Sequence, residues 1–165
     1  YPHFINFFSI NDTIENLKYK LKKYLFILME SNLQYIEGFD FFYNSIIKKN
    51  NFKTALVTNT SRDIVMKVRE FINIDKYFSV IITSTDVSDP KPSPIPYNSA
   101  MRALNTIPDT TMIIEDSRVG FQSALASMAK VFGITSSMSR EEILEISKDI
   151  NVFNNYSEIS KFLEK

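Results

Sequence analysis

The sequence has 165 residues, and its 19 basic side chains balance its 19 acidic ones, so the formal net charge is zero. Apolar residues make up 44% of the chain and charged residues 23%, as in a globular domain with its own core. Balanced charge argues against a nucleic-acid partner or an anionic membrane surface, because both require clustered positive charge. Because there is no cysteine, disulfides, zinc–thiolate sites and cysteine nucleophiles are excluded, and the single histidine, His3, excludes a multi-histidine metal site.

The ends and the hydropathy of the chain give no sign of a membrane or of export. No apolar run approaches the roughly 20 residues of a membrane-spanning helix. The segment from Tyr1 to Phe4 lacks the basic start of a signal peptide, so we expect a cytoplasmic protein. It also lacks an initiator methionine, and we therefore expect that Tyr1 is not the natural first residue.

The N-terminal part of the chain is predicted to be helical up to about residue 36. Asp12 or Thr13 can cap a helix whose apolar residues recur at spacings of three and four. These apolar residues are Ile14, Leu17, Leu21, Leu25 and Leu28. Gly38 marks a break, and a second helix is predicted over residues 39–49.

From residue 54 onward, short apolar runs alternate with amphipathic helices. The predicted strands are 54–58, 78–83, 111–114, 131–134 and 152–153. The predicted helices are 63–72, 95–105, 118–128, a segment from Ser139 to about Lys148 that opens with a Ser139–Glu142 capping box, and a final helix. This alternation indicates an α/β fold with a mostly parallel sheet. In such a sheet, ligands bind beyond the carboxyl ends of the strands.

Three of the predicted strand ends carry polar residues. They are Thr58-Asn59-Thr60-Ser61 after the first strand, Lys91 in a proline-rich loop after the second, and Glu115-Asp116-Ser117 after the third. Hydroxyl and backbone N–H groups can hold phosphate oxygens, a lysine can balance the charge of a transferring phosphoryl group, and carboxylates bind Mg²⁺. Each feature alone has an ordinary structural explanation as a turn, a solvated lysine or a helix cap. Together they predict phosphoryl transfer.

Three segments carry these residues in a fixed order and spacing. The segments are Ala55-Leu56-Val57-Thr58-Asn59, then Asp86-Val87 with Lys91-Pro92-Ser93-Pro94 and Tyr97, and lastly Ile113-Ile114-Glu115-Asp116-Ser117 with Gly120, Phe121 and Ala124. They resemble three of the four motifs of the haloacid dehalogenase superfamily, in particular its β-phosphoglucomutase-like branch. The resemblance implies a Rossmann-like three-layer core over residues 36–165. It also implies that residues 1–35 are the remnant of a helical cap.

The resemblance further implies a phosphatase or phosphomutase that uses Mg²⁺ and acts on a small phosphorylated metabolite. It implies that Thr58 and the backbone amide of Asn59 hold the transferring phosphoryl group, that Lys91 neutralises its charge, that Glu115 and Asp116 contribute to Mg²⁺ binding, and that Thr60 and Arg62 contact the substrate. Met128 departs from the pattern, because the family usually ends this helix with glycine. A left-handed methionine costs about 1 kcal/mol, so we expect a different helix end.

The family's first motif, an apolar strand ending in Asp-x-Asp-Gly-Thr, does not occur in this sequence. In the aspartyl-phosphate mechanism, its first aspartate is the nucleophile and its second is the general acid and base. One interpretation is that the sequence begins inside the cap, so that the central first strand is missing. The alternative is that Phe7 to Ile14 is a degenerate first motif, with Ser9 and Asn11 replacing the two aspartates. In either case we expect the chain alone to be inactive.

A missing first strand has a structural consequence. The strand ending at Thr58 and the strand ending at Ile114 should then stand about 10 Å apart, with unpaired backbone groups facing the gap. Phe4 to Ile10 is apolar enough to fill that position, but we expect an open slot. Two other functions remain open: a catalytically dead phosphate- and metal-binding module, and a receiver domain. In a receiver domain the acidic pair comes first in the chain, whereas Glu115-Asp116 comes last here.

Overall fold

The structure, a computed structural model, describes residues 12–164. Five strands and the helices between them alternate along this part of the chain, which confirms the predicted α/β fold. The strands are β1 (Ala55–Val57), β2 (Val80–Ile82), β3 (Met112–Glu115), β4 (Lys130–Ile134) and β5 (Asn151–Phe153). The α-helices are α1 (Ile14–Asn32), α2 (Phe39–Phe42, which continues as a π-helix over Tyr43–Lys48), α3 (Arg62–Phe71), α4 (Ile95–Leu104), α5 (Arg118–Ala126), α6 (Arg140–Ile146) and α7 (Tyr156–Leu163).

Local sequence signals start and stop these helices. The Thr13 hydroxyl accepts a hydrogen bond from the Asn16 amide, so Thr13 caps α1 as predicted. The capping box is also present, since the Ser139 and Glu142 side chains each accept a hydrogen bond from the other residue's backbone amide. Gly38 has a φ of +80°, which interrupts the helical conformation before α2, as predicted.

Helix α1 differs from the other helices in its burial. None of its residues is buried, and it lies against α3, where Lys22 forms an ion pair with Asp63. The assignment of residues 1–35 to a cap and 36–165 to a core stays a prediction. No helix within residues 12–164 combines the length and the apolar character needed to cross a membrane.

The strands form two separate parallel sheets. In the first, β1 pairs with β2, and Ala55 lies opposite Val80. In the second, β4 lies between β3 and β5, with Met112 opposite Lys130 and Phe132 opposite Asn151. Every pairing is parallel, as the alternation of strands and helices predicted.

Helices cover both faces of the three-stranded sheet. Successive residues of a strand point to opposite faces, so Val131 packs with Phe121 and α6 in one buried cluster, while Phe132 packs with Ile159 of α7 in another. Phe121, Phe132 and Ile159 are completely inaccessible to solvent. This arrangement gives the helix–sheet–helix layering implied by the family resemblance.

β1 and β3 face each other across a gap that no strand within residues 12–164 fills. A cavity of about 680 Å³ lies there and is lined by residues of both strands and by apolar side chains of α2 and α4. The Thr58 amide donates to Ile82 in β2, so the alternate residue Val57 directs its backbone groups toward the gap. The alternative assignment of Phe4 to Ile10 to this position falls outside the described residues.

The end of α5 departs from expectation. Met128 adopts the left-handed conformation, with a φ of +66°, so the prediction of a different helix end is wrong. Its amide donates to the Leu125 carbonyl, as at an ordinary left-handed helix terminus. The side chain is 79% exposed, so little packing offsets the backbone strain.

We therefore expect Met128→Gly to stabilise the protein. The substitution relieves a left-handed non-glycine residue, which should raise the free energy of unfolding by about 1 kcal/mol in urea denaturation. Met128→Ala is the control, since it removes the same side chain but keeps a Cβ, and it should leave stability within about 0.5 kcal/mol of the parent. Equal stability of the glycine and alanine variants would contradict this explanation.

Candidate active site at the strand ends

The polar residues predicted from the sequence converge beyond the carboxyl ends of β1 and β3. An open cleft of about 550 Å³ lies between these ends. Its polar lining consists of Thr58, Asn59, Thr60, Lys91, Glu115, Asp116 and Ser117. The cleft opens at the end of the gap between the two sheets, because Val57 and Ile114 line both cavities.

The turn after β1 lines this cleft with Thr58, Asn59 and Thr60. The Thr58 hydroxyl accepts a hydrogen bond from the Thr60 amide at 3.0 Å, which shapes the turn. The Asn59 side chain ties the turn to the proline-rich loop: it donates to the Lys91 carbonyl at 2.9 Å and accepts from the Lys91 amide at 3.0 Å. Sequence reasoning assigned a role to the Asn59 backbone amide and missed this side-chain clamp.

Lys91 is the central cation of the site. Its side chain is only 6% exposed, and its three ammonium protons have three partners. Nζ donates to the Val57 carbonyl at 3.0 Å, to the Tyr97 hydroxyl at 2.9 Å and to the Glu115 carboxylate. Removing one partner of such a buried pair costs about 3–5 kcal/mol, so the ammonium is held in one position.

Glu115 is held as firmly as Lys91. One carboxylate oxygen accepts from Lys91 and Tyr97, and the other accepts from the Asp116 amide and the Ser117 hydroxyl, both at 3.2 Å. Gly120 lies directly beneath this carboxylate, and a Cβ at that position would come within 1.9 Å of it. The glycine is therefore required for space rather than for backbone freedom.

Asp116 also lines the cleft. One of its oxygens accepts hydrogen bonds from Ser136 at 2.7 Å and from Ser137 at 2.8 Å. These two serines follow β4, and sequence reasoning missed them. The rule that ligand-binding residues follow the strands would have identified them, had it been applied to the fourth strand.

Of the two residues assigned to substrate contact, Thr60 lines the cleft and Arg62 does not. The Arg62 guanidinium donates to Asp86 through two nitrogens, at 2.9 and 2.6 Å. Such a bidentate pair holds the guanidinium at the neighbouring loop. The structure thus brings together Thr58, Asn59, Thr60, Lys91 and the acidic pair and leaves Arg62 at the margin.

The carboxylates give the cleft a negative character. Burial, and then the charges of Asp116 and Glu115, raise the pKa of Tyr156, which also lines the cleft, to about 12. Burial and the neighbouring Glu115 likewise raise the pKa of Tyr97 above its ordinary value. Both tyrosines are therefore neutral at physiological pH, and the site favours a cation.

The donor set fits a hard divalent cation in part. Among the described residues, one oxygen of Asp116 accepts no hydrogen bond, whereas both oxygens of Glu115 are engaged. No group of three or more side chains able to hold a metal occurs within residues 12–164. Mg²⁺ requires six oxygen ligands and keeps several waters, so Asp116 can serve as one ligand and the set needs a further carboxylate.

Comparison with known proteins identifies relatives of this chain. The chain is 26% identical over 169 aligned positions to a phosphorylated carbohydrates phosphatase of Thermotoga maritima, a match covering 90% of this chain and 76% of that protein. It is 30% identical over 105 positions to a phosphoglycolate phosphatase of Salmonella typhi, covering 64% of this chain. That second match spans only 42% of the Salmonella protein's length.

A solved structure shows the same fold. A candidate β-phosphoglucomutase from Thermotoga maritima superimposes with a TM-score of 0.84 over 99% of this chain and 75% of its own, at 23% identity. At that identity the likeness shows the fold alone. The sequence pattern of haloacid dehalogenase-like hydrolases matches residues 3–134, which is most of the sequence. The chain therefore belongs to the haloacid dehalogenase-like hydrolase family.

Proposed function

We propose that this chain forms the phosphate- and metal-binding part of a cytoplasmic, Mg²⁺-dependent phosphatase or phosphomutase that acts on a small phosphorylated metabolite. The observation that carries the proposal is the convergence of Thr58, Lys91 and Asp116 on one cleft at the strand ends. The two relatives, a phosphorylated carbohydrates phosphatase and a phosphoglycolate phosphatase, support the substrate class.

Each group has a role that its position supports. The Thr58 hydroxyl and the Asn59 backbone amide bind phosphoryl oxygens, and the ammonium of Lys91 offsets negative charge as the phosphoryl group moves. Asp116, with Glu115 beside it, would hold Mg²⁺, which supplies charge stabilisation and orients the phosphate when bound. Thr60 lies where a substrate would contact the turn, whereas Arg62 would first have to leave Asp86.

A nucleophile is the missing component. Within the described residues, Glu115 and Asp116 are the carboxylates that line the cleft, and Glu115 is fully engaged by Lys91 and its neighbours. A strand placed between β1 and β3 would end in the cleft, beside Lys91. We propose that the attacking aspartate comes from such a strand and that this chain alone does not turn over phosphate esters. The alternative nucleophile position, Ser9, lies outside the described residues.

A second candidate is a binding module that holds phosphate without turning it over. The same observation favours it, because candidate phosphate-binding groups and Asp116 line the cleft in the described part of the chain, while the carboxylate in contact with Lys91, that of Glu115, is fully hydrogen-bonded. The two functions differ in one respect: supplying an aspartate-bearing strand should produce catalysis in the enzyme component and none in the binding module.

The first prediction concerns activity. The 165-residue chain with Mg²⁺ should hydrolyse p-nitrophenyl phosphate no faster than background, because the carboxylates that line the cleft within residues 12–164 are Glu115, which is paired with Lys91, and Asp116, which we assign to the metal. Release of nitrophenolate is followed by absorbance. Turnover above background that disappears in the Lys91→Ala variant would contradict the proposal.

Restoring the missing strand gives the positive arm of this test. An N-terminal extension carrying an apolar strand with Asp-x-Asp-Gly-Thr should produce Mg²⁺-dependent turnover, and Asp116→Asn in that protein should lower it by roughly 100-fold or more. Asp109→Asn is the matched control, because Asp109 is exposed at the opposite end of β3 and should not affect turnover. A folded extended protein without activity would favour the binding module.

The metal itself provides another prediction. The chain alone should bind Mg²⁺ weakly or not at all in titration calorimetry, because its carboxylates supply only part of an octahedral set and Mg²⁺ gives up water reluctantly. Asp116→Asn should remove any residual heat of binding. A dissociation constant in the low micromolar range, which corresponds to a binding free energy of about −8 kcal/mol, would contradict this prediction.

A further inference from the structure

We propose that Tyr97 is a positioning residue of the phosphate site: its hydroxyl connects Lys91 to Glu115 and fixes the ammonium group between the ends of β1 and β3. The inference rests on the proposed function for its meaning, since a fixed ammonium is useful where charge develops on a phosphoryl group. The positioning itself is a property of the folded chain. It can therefore be tested without any enzymatic activity.

The Tyr97 hydroxyl accepts one hydrogen bond and donates its only proton in another. Its oxygen accepts from the Lys91 ammonium at 2.9 Å, and its single proton goes to the Glu115 carboxylate. The Lys91 ammonium also lies 4.8 Å from the centre of the Tyr97 ring, within the range of a cation–π contact. One side chain thus holds both charged partners of the buried pair.

The fold brings Tyr97 to this position through the loop that carries Lys91. Tyr97 lies in the first turn of α4, and its side chain is part of the buried core cluster at 6% exposure. The loop is held from the other side, because the Ser123 hydroxyl donates to the Ser93 carbonyl at 2.6 Å. The Tyr97 hydroxyl therefore has little freedom to form hydrogen bonds with other groups.

The number of protons fixes the direction of these bonds. The Lys91 ammonium has no acceptor and can only donate to the Tyr97 oxygen, so the single phenol proton goes to the Glu115 carboxylate. Tyr97→Phe would preserve nearly all of the packing but leave the Lys91 ammonium with two partners and one oxygen of Glu115 with a single donor.

A similar arrangement on the surface provides a matched control. Lys76 donates to the Tyr77 hydroxyl at 2.9 Å, and Tyr77 donates to Asp40, so the chemical sequence of groups is the same. Tyr77 is as buried as Tyr97, but Lys76 and Asp40 are more than half exposed. Tyr77→Phe therefore removes a comparable hydroxyl from a residue that does not line the cleft.

The experiment measures how fast each lysine of the full chain is acetylated by an amine-reactive ester, with mass spectrometry identifying the site. Tyr97→Phe should accelerate acetylation of Lys91 by about ten-fold, the effect of one lost hydrogen bond to a charged group. The rates at other lysines and the thermal midpoint should stay close to those of the parent. Tyr77→Phe should leave the Lys91 rate unchanged.

Coupling to Glu115 separates positioning from ordinary packing. Glu115→Gln should also expose Lys91, and adding Tyr97→Phe to it should have a much smaller effect than on the parent, because the two groups act through one contact. Effects that simply multiply, or a Lys91 rate that Tyr97→Phe does not change, would overturn the proposal. If Tyr97→Phe fails to fold, the same coupling is measured with Tyr97→Met.

A last arm distinguishes the positioning role from the proposed function. Inorganic phosphate should slow acetylation of Lys91 in the parent chain if the cleft binds phosphate, and should slow it less in Tyr97→Phe. Acceleration by Tyr97→Phe without protection by phosphate would support the positioning role and count against the phosphate site. Protection by phosphate without acceleration by Tyr97→Phe would support the phosphate site and count against the positioning role.

Discussion

The ammonium group of Lys91 is the contact on which the site depends, because it joins the two sheets. It donates to the Val57 carbonyl in β1 and to the Glu115 carboxylate in β3, which belong to different sheets. Buried ion pairs seldom add net stability, since desolvation offsets the attraction between the charges. The Lys91–Glu115 pair instead has a geometric role. It sets the distance between two strand ends whose backbone groups do not pair with each other.

The gap between β1 and β3 explains both the chemistry of the site and a risk of aggregation. Among the strands within residues 12–164, β1 and β3 each lie at an edge of their sheet, and apolar residues line the space between them. Such edges favour addition of a strand, either a proper one that brings a carboxylate to the cleft or an improper one that leads to aggregation. The site and the gap are thus parts of one arrangement: the polar groups lie where an inserted strand would end.

The sequence predicted what depends on local chemistry and on strand order. The Thr13 cap, the break at Gly38 and the gathering of the strand-end residues follow from short patterns and from the rule for parallel sheets. Features that depend on tertiary contacts were not predictable. The Asn59 clamp and the ion pair that holds Arg62 at the margin each require knowledge of which segments meet in space.

The most direct test of a phosphate site at the strand ends is a titration of the ¹⁵N-labelled chain with inorganic phosphate, followed by two-dimensional NMR. The account predicts the largest amide shift changes in the turn after β1, at Asn59 and Thr60, with smaller changes at Lys91 and Asp116. These changes should be lost in Lys91→Ala, provided that the spectrum of that variant shows a folded protein. Shift changes centred elsewhere, or none at millimolar phosphate, would contradict the account.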